Sequence, residues 1–385
     1  MLSTRRNLAL MVLVVLVLGL LGAVAAGCGG EVKTPGDVTS TTVANSTTTA
    51  AGGTTTTGGS TSTTAGAKVS LTGAGATFPG PLYLEWIGEF QTKVKPNVSI
   101  NYQGIGSGGG IQQFTQMTVD FGASDAPMKD EEIAAAEAAS GAKVLHIPTV
   151  FGAVVLAYNL PDVKELKLDP DTLAAIFMGE ITKWNDSRLV ALNPDANLPD
   201  KAVQAIHRSD SSGTTNIFTG YLAAVSQTWS DKVGKGKEVK WPVGLGGQGN
   251  DGVTAVIKQQ SGSIGYVELS YAIESKLTAA TLKNKAGNFV KPTLESTSAA
   301  AVGVTFPEDL RFSLSNSEGK DAYPIVGATW ILAYDKMKDP GKAQALKDWL
   351  TWALNDGAAI ATDLGYAVLP QELKDMAMAK VDLIK

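Results

Sequence analysis

The sequence predicts an α/β protein built as two lobes. Three observations lead there. Short β-like runs alternate with helical patterns, which is the mark of βαβ units and a largely parallel sheet. Two long apolar runs of similar character stand far apart along the chain. Finally, 385 residues exceed what one typical core needs. Hydrophobic residues make up 44% of the chain and charged residues 18%, enough for a sizeable core with a wet surface. The formal net charge is −5, and no Lys/Arg cluster interleaves with aromatics, which argues against nucleic acid as a partner. An acidic balance still permits an anionic ligand, because nearby N–H and guanidinium donors outweigh a distant field.

The first 28 residues are a targeting segment. Arg5 and Arg6 open it, an apolar stretch follows at 8–21, and small residues (Ala25, Ala26, Gly27) precede Cys28. Ala25-Ala26-Gly27-Cys28 resembles the lipobox of bacterial lipoproteins, with Ala25 where Leu is usual; there the thiol is lipidated and becomes the new N-terminus. An uncleaved membrane anchor is the alternative. The paired arginines also fit a loose twin-arginine signal, although general secretion is the simpler route. Cys28 is the only cysteine, so the folded part has neither disulfides nor cysteine-based catalysis. Residues 29–67 are dominated by Thr, Ser, Gly and Ala and have almost nothing apolar to bury, so they predict a disordered tether.

The folded part begins near Lys68. A β-like run at 69–72 precedes a helical pattern at 82–90, another at 98–102 precedes one at 111–117, and a third run follows at 144–148. The first long run, TVFGAVVLAYN (149–159), has its counterpart in YPIVGATWILAY (323–334); such a pair suits strands crossing between lobes. Between them lie further alternating elements at 202–207, 215–224, 254–260 and 264–267. From Gly341 onward the pattern is helical. Lobe one is therefore expected at 68–149 plus 322–385, and lobe two at 150–321.

Three segments share one design, a Gly/Ser/Thr-rich turn directly before an amphipathic helix: GAGATFP (73–79), GIGSGGG (104–110) and SDSSGTT (209–215). A helix start leaves N–H groups unpaired and carries partial positive charge, which makes it an anion site. Any one such turn is ordinarily a simple cap; three, contributed by both expected lobes, point to a shared anion in the cleft. Gly104, Gly106 and Gly109 also fit G-x-G-x-x-G, with Asp125 roughly where a ribose-binding acid would stand. That unit is not the first βα unit, however, and Asp125 sits in a loop-like stretch, FGASDAPM, so a dinucleotide is disfavoured.

Six segments make the resemblance specific: LTGAGATFPGPLY (71–83), NYQGIGSGGGIQQF (101–114), VDFGASDAPM (119–128), HRSDSSGTTNIFTGYL (207–222), WPVGLGGQGNDGV (241–253) and SGSIGYVELSYA (261–272). In this order they closely resemble the phosphate-binding subunit of bacterial high-affinity phosphate ABC transporters. The resemblance implies a type II periplasmic-binding-protein fold, two α/β lobes joined by a hinge, with dehydrated inorganic phosphate held between them. It further implies that Thr77 and Phe78 hold the anion from the first turn, Phe78 through its backbone N–H, and Ser107 from the second. Asp125 would accept the phosphate's proton and Arg208 would make charge-assisted bonds, while Ser212, Gly213 and Thr214 complete the cage. Asp210 would orient Arg208 from behind. Gly108 stands where many relatives carry a second serine. The implied partners are the transmembrane permease subunits of a phosphate ABC transporter and the membrane itself, through the lipid on Cys28. No cofactor and no catalysis are implied.

The residue chemistry points the same way. Phosphate near neutral pH carries a proton and sulfate carries none, so a carboxylate among donors suits only the former. A site built on that bond can reject an analogue lacking the proton by roughly 10⁴-fold. Arg208 is suited to bidentate contact, which Lys cannot reproduce. Another tetrahedral oxyanion (sulfate, molybdate) or a phosphate-sensing surface protein are the alternatives. His146 and His207 have neither a metal-ligand spacing nor a cysteine partner. His207 with Asp210 and Ser212 lacks the elbow of a hydrolase, and Trp184, Trp229, Trp241 and Trp330 are expected to pack. The segment Gly249-Asn250-Asp251-Gly252 is expected to be a turn and helix cap outside the ligand contacts.

Overall fold

A computed structural model of the chain describes residues 68–385. The targeting segment, Cys28 and the tether lie outside the described residues. Eight strands carry the main sheet: β1 (Val69–Gly75), β2 (Val98–Gly104), β3 (Phe121–Ser124), β4 (Val144–Tyr158), β5 (Gln204–Arg208), β6 (Leu245–Gly247), β7 (Ser263–Glu268) and β8 (Val326–Tyr334). Their order is β2-β1-β3-β8-β4-β7-β5-β6, and two short strands, Ala367–Val368 and Thr278–Ala279, pair with β4 off this path. Four helices matter for the site: α1 (Gly80–Glu89), α2 (Ser107–Thr115), α3 (Gly213–Val225) and α4 (Gly249–Gln259).

The expectation of a largely parallel sheet holds at both ends and fails in the middle. β1 runs parallel to β2 and β3, and β5 runs parallel to β6 and β7. The central pairings, β3 with β8, β8 with β4 and β4 with β7, are antiparallel. Each half is made of βαβ crossovers, which give parallel neighbours. The chain leaves the first half along β4 and returns along β8, so these two run in opposite directions.

β4 is apolar on both faces and buried almost throughout, as a central strand must be. It serves both halves. Residues 144–153 pair with β8, and 154–158 pair with β7. The sequence split this strand in two at Pro148, which lacks an N–H for the ladder. The structure accommodates it at a register shift between Thr329 and Trp330, where Pro148 stands opposite Trp330. The strand β3 lies within FGASDAPM, a stretch that is loop-like in sequence. All four of its positions are buried, and Asp125 follows it directly. Small residues suit it because Phe114 packs within 3.0 Å of where a Gly122 Cβ would stand.

Where β4 passes from one half to the other, Val154 pairs with Glu268, the last residue of β7. Glu268 is fully buried. Its Oε2 accepts from the Ser270 N–H at 2.8 Å and makes a short contact with the Ser270 hydroxyl, while Oε1 has no partner. Tyr366 donates to the Phe78 carbonyl at 2.8 Å and meets the Ser270 hydroxyl at 2.8 Å. The titratable groups near Glu268 are Tyr366 and Tyr271. Burial pushes the Glu268 carboxyl up to about 8 against the hydrogen bonds that lower it, so it is largely neutral at pH 7. Because the folded value lies above the unfolded one, its contribution to stability is complete below the ordinary carboxyl range and is lost as pH rises through about 8. Glu268→Gln mimics the neutral acid. Its thermal midpoint, followed from pH 5 to 9, should fall less than that of the unaltered chain, with the difference opening from about pH 5 and levelling off above about 8. Parallel curves would show that Glu268 is already ionised in the fold.

Candidate anion-binding site

The three Gly/Ser/Thr turns end at three helix starts, and the structure brings all three together with a fourth. Residues 73–79 lead from β1 into α1, residues 104–106 lead from β2 into α2, and residues 209–212 lead from β5 into α3. The fourth start is that of α4, which Gly249 enters at φ +71°, a region that suits glycine. At each start the first N–H groups lie beyond the reach of intrahelical carbonyls. Ser212 satisfies one of them in α3, its hydroxyl accepting from the Thr215 N–H at 3.0 Å. Thr77, Phe78, Ser107, Asp125, Arg208, Ser212 and Thr214 are all buried.

Contacts across the cluster are direct. The Ser107 hydroxyl accepts from the Gly213 N–H at 3.1 Å and from the Asp125 N–H at 3.1 Å. The Gly108 N–H donates to the Ser211 carbonyl at 2.9 Å. Glycine is required at this seam: a Cβ on Gly108 would collide with the Ser211 side chain, and one on Gly213 would lie 2.6 Å from Asp125 Cβ. The missing serine of the Gly108 position therefore coincides with close packing. The same packing removes the dinucleotide alternative, since a Cβ on Gly106 would meet the Ser211 carbonyl at 2.8 Å. The Gly-rich turn faces residues 210–211, not an open pyrophosphate groove.

Arg208 ends β5, its side chain almost completely covered. Nε and Nη2 donate to the two oxygens of Asp210 at 2.7 and 2.5 Å, and Nη1 donates to the Thr214 hydroxyl at 3.2 Å. Asp210 also accepts from the Gly249 N–H at 3.0 Å, and its carboxyl is held below the usual range by Arg208 and these N–H donors against the opposing effect of burial. One edge of the guanidinium is thus committed to Asp210. The Nη1/Nη2 end is what remains to meet an anion.

Asp125 is the one acidic side chain among the residues named for the cage. Thr329 donates to its Oδ1 at 2.9 Å, and the Ser107 hydroxyl stands 3.4 Å from Oδ2. Burial raises its carboxyl to about 7, while Thr329, Arg208 and Ser107 pull it down and Asp210 pushes it up. Thr329 was missed in the sequence. It lies at the register shift in β8, where a bulge re-aims a side chain. A threonine inside an otherwise apolar strand was the available signal. Asn250 was placed outside the ligand contacts as part of a cap. In the structure its fully buried side chain donates to the Thr77 hydroxyl at 2.9 Å and to the Thr214 hydroxyl at 3.3 Å.

The other candidates stand apart. Buried His146 accepts from the Met128 N–H at 3.1 Å, and burial drives it down to about 4. His207 stacks on Trp241 with ring centres 4.7 Å apart. Trp184, Trp229 and Trp330 are buried in the core.

Residues 37–356 match the PBP superfamily domain. Over 304 residues the chain is 44% identical to the phosphate-binding protein PstS of Pasteurella multocida, covering 78% of this chain and 86% of that one. The chain belongs to the PstS family. A relative from Methanocaldococcus jannaschii, also named phosphate-binding protein PstS, is 43% identical over 336 residues, covering 81% of this chain and 85% of its own length. The fold agrees: a high affinity periplasmic phosphate-binding protein (PfluDING), solved with phosphate bound, superimposes with a TM-score of 0.65 at 22% identity, covering 80% of this chain and 93% of that one. Two α/β lobes joined by a hinge, as expected from the sequence, is the fold of this PstS-family chain.

Asp210 is the partner that lets a guanidinium lie buried. Asp210→Asn keeps the shape and removes the charge, leaving Arg208 uncompensated. Loss of one member of a buried pair costs on the order of 3 kcal/mol. Denaturant melts should show it, and an unchanged midpoint would mean that solvent already compensates Arg208.

Proposed function

We propose that this chain captures inorganic phosphate outside the cytoplasmic membrane and delivers it to an ABC permease, without chemistry on the ligand. The observation that carries this reading is Asp125, a buried acceptor among converging donors. Thr77, Phe78, Ser107, Arg208, Ser212, Gly213 and Thr214 would hold the oxygens and Asp125 would take the hydrogen bond from the phosphate hydroxyl. Membership of the PstS family supports the assignment. Residues 68–149 with 322–385 would move as one lobe and 150–321 as the other, closing on the anion by a shift of population toward the closed state. The targeting segment supports lipidation of Cys28, with residues 29–67 as the tether that holds the domain off the membrane.

The value of about 7 for Asp125 refines the selectivity argument. Ionised, Asp125 repels an oxyanion that brings no proton. Protonated, it becomes a donor and can bond to sulfate. Sulfate affinity should therefore rise as pH falls through about 7, while phosphate remains preferred at pH 8. Isothermal titration with phosphate and sulfate between pH 5.5 and 8.5 checks this. In Asp125→Asn, sulfate binding should lose its pH dependence and discrimination should collapse; retention of selectivity in that variant would refute the role. Arg208→Ala should weaken both anions together, by about 10²-fold or more, since a charged hydrogen-bond partner is lost.

A further inference from the structure

Three hydroxyls face the cage, those of Thr77, Ser107 and Thr214. A hydroxyl has two acceptor lone pairs and one proton. The Thr77 hydroxyl accepts from the Asn250 backbone N–H at 3.2 Å and from Asn250 Nδ2 at 2.9 Å. The Thr214 hydroxyl accepts from Arg208 Nη1 at 3.2 Å and from Asn250 Nδ2 at 3.3 Å. The Ser107 hydroxyl accepts from the N–H groups of Asp125 and Gly213. Each therefore has its lone pairs engaged by nitrogen donors; Ser107 turns its proton toward Asp125 Oδ2 at 3.4 Å, while Thr77 and Thr214 have only their protons left to offer.

We propose that Asn250 is a positioning residue that fixes the Thr77 and Thr214 hydroxyls as obligate donors to the bound oxyanion, and fixes Thr77 only when the two halves meet. Thr77 lies between β1 and α1, whereas Asn250 and Thr214 lie in helices packed with β5, β6 and β7. The bond from Asn250 to Thr77 thus spans the two halves of the sheet. Its geometry is locked from behind, because Asn250 Oδ1 accepts from the Glu268 N–H at 3.0 Å, which leaves the amide nitrogen pointing at the hydroxyls. An amide held in this way cannot flip, and a hydroxyl whose lone pairs are filled cannot turn them toward the anion. Closure converts the adaptable Thr77 hydroxyl into a fixed donor beside that of Thr214, which Arg208 and Asn250 already fix within their own half.

This inference rests on the proposed phosphate site, and its test separates the two. Asn250→Asp keeps the shape and keeps an acceptor for the Glu268 N–H, and its charge is favourable in the first turn of α4. It replaces the amide donor by an acceptor, so the Thr77 and Thr214 protons turn toward the new carboxylate. Isothermal titration of the full chain with inorganic phosphate should show affinity about 100-fold below that of the unaltered chain at pH 8. The ratio should narrow at pH 5.5, where the new carboxyl takes up a proton and becomes a donor again. Unaltered affinity at pH 8 overturns the proposal, and so does a loss of equal size at both pH values, which would report misfit alone. Should thermal melts show that Asn250→Asp does not fold, Asn250→Ala decides. It should lose about tenfold in phosphate affinity while still melting as one folded species, at a lower midpoint because the Glu268 N–H loses its acceptor, and unaltered affinity overturns the proposal. An unaltered chain that takes up no phosphate refutes the functional reading itself, whereas a binding chain with an indifferent Asn250→Asp refutes only this inference.

Discussion

A carboxylate buried against the starts of α2 and α3 and in the field of a guanidinium is the constraint on which the rest of the site depends. Left alone, burial would hold Asp125 neutral, because an ionised group out of water is costly. Thr329, Arg208 and Ser107 pull the other way, and the balance falls near neutrality at about 7. Arg208 cannot pull harder, since Asp210 occupies one of its edges and itself pushes Asp125 upward. Remove Asp210 and the guanidinium would have no compensation behind it; move it closer to Asp125 and the carboxyl would be forced to keep its proton. The arrangement holds two opposite charges and a poised acid within one small space.

The fold achieves this by building each half of the sheet to end at helix starts and by running one strand through both halves. β1, β2 and β5 each hand over to a helix at a turn of small residues. β4 fixes how the halves stand, since its two ends lie in the two ladders. The register shift opposite Pro148 lies beside Thr329, so an irregularity forced by a residue with no N–H coincides with the residue that reaches Asp125. Glu268 stands at the handover, buried and with one oxygen unpartnered.

Local features were the most legible in the sequence. The turns before α1, α2 and α3 were readable because glycine, serine and an apolar helical spacing occur together, and Arg208 and Asp125 stood out once the family pattern was recognised. β3 was hidden because its burial needs small residues, which carry little strand signal on their own. The central antiparallel pairings were hidden as well, because direction in a sheet depends on where the chain returns, not on any local pattern. Asn250 was visible as part of a helix start, but its contacts were not. A residue in the first turn of a helix reads as a cap, and only the approach of Thr77 from the other half reveals what its amide touches.

The seam between the halves is made largely of backbone and hydroxyl groups at glycine distance: Gly108 N–H to the Ser211 carbonyl, and Gly213 N–H to the Ser107 hydroxyl. Bonds of this kind are neutral, and water can replace them when the halves part, so they contribute modestly to closure. The charges act differently. Four partially positive helix starts and a guanidinium converge here; Asp210 compensates Arg208 and the start of α4, and Asp125, with its proton only partly given up, offsets little of the positive potential that remains. An anion placed between them offsets that remainder. Its affinity must therefore be far greater for the closed arrangement than for the open one, and that difference is what allows a small ion to shift the equilibrium of two whole lobes.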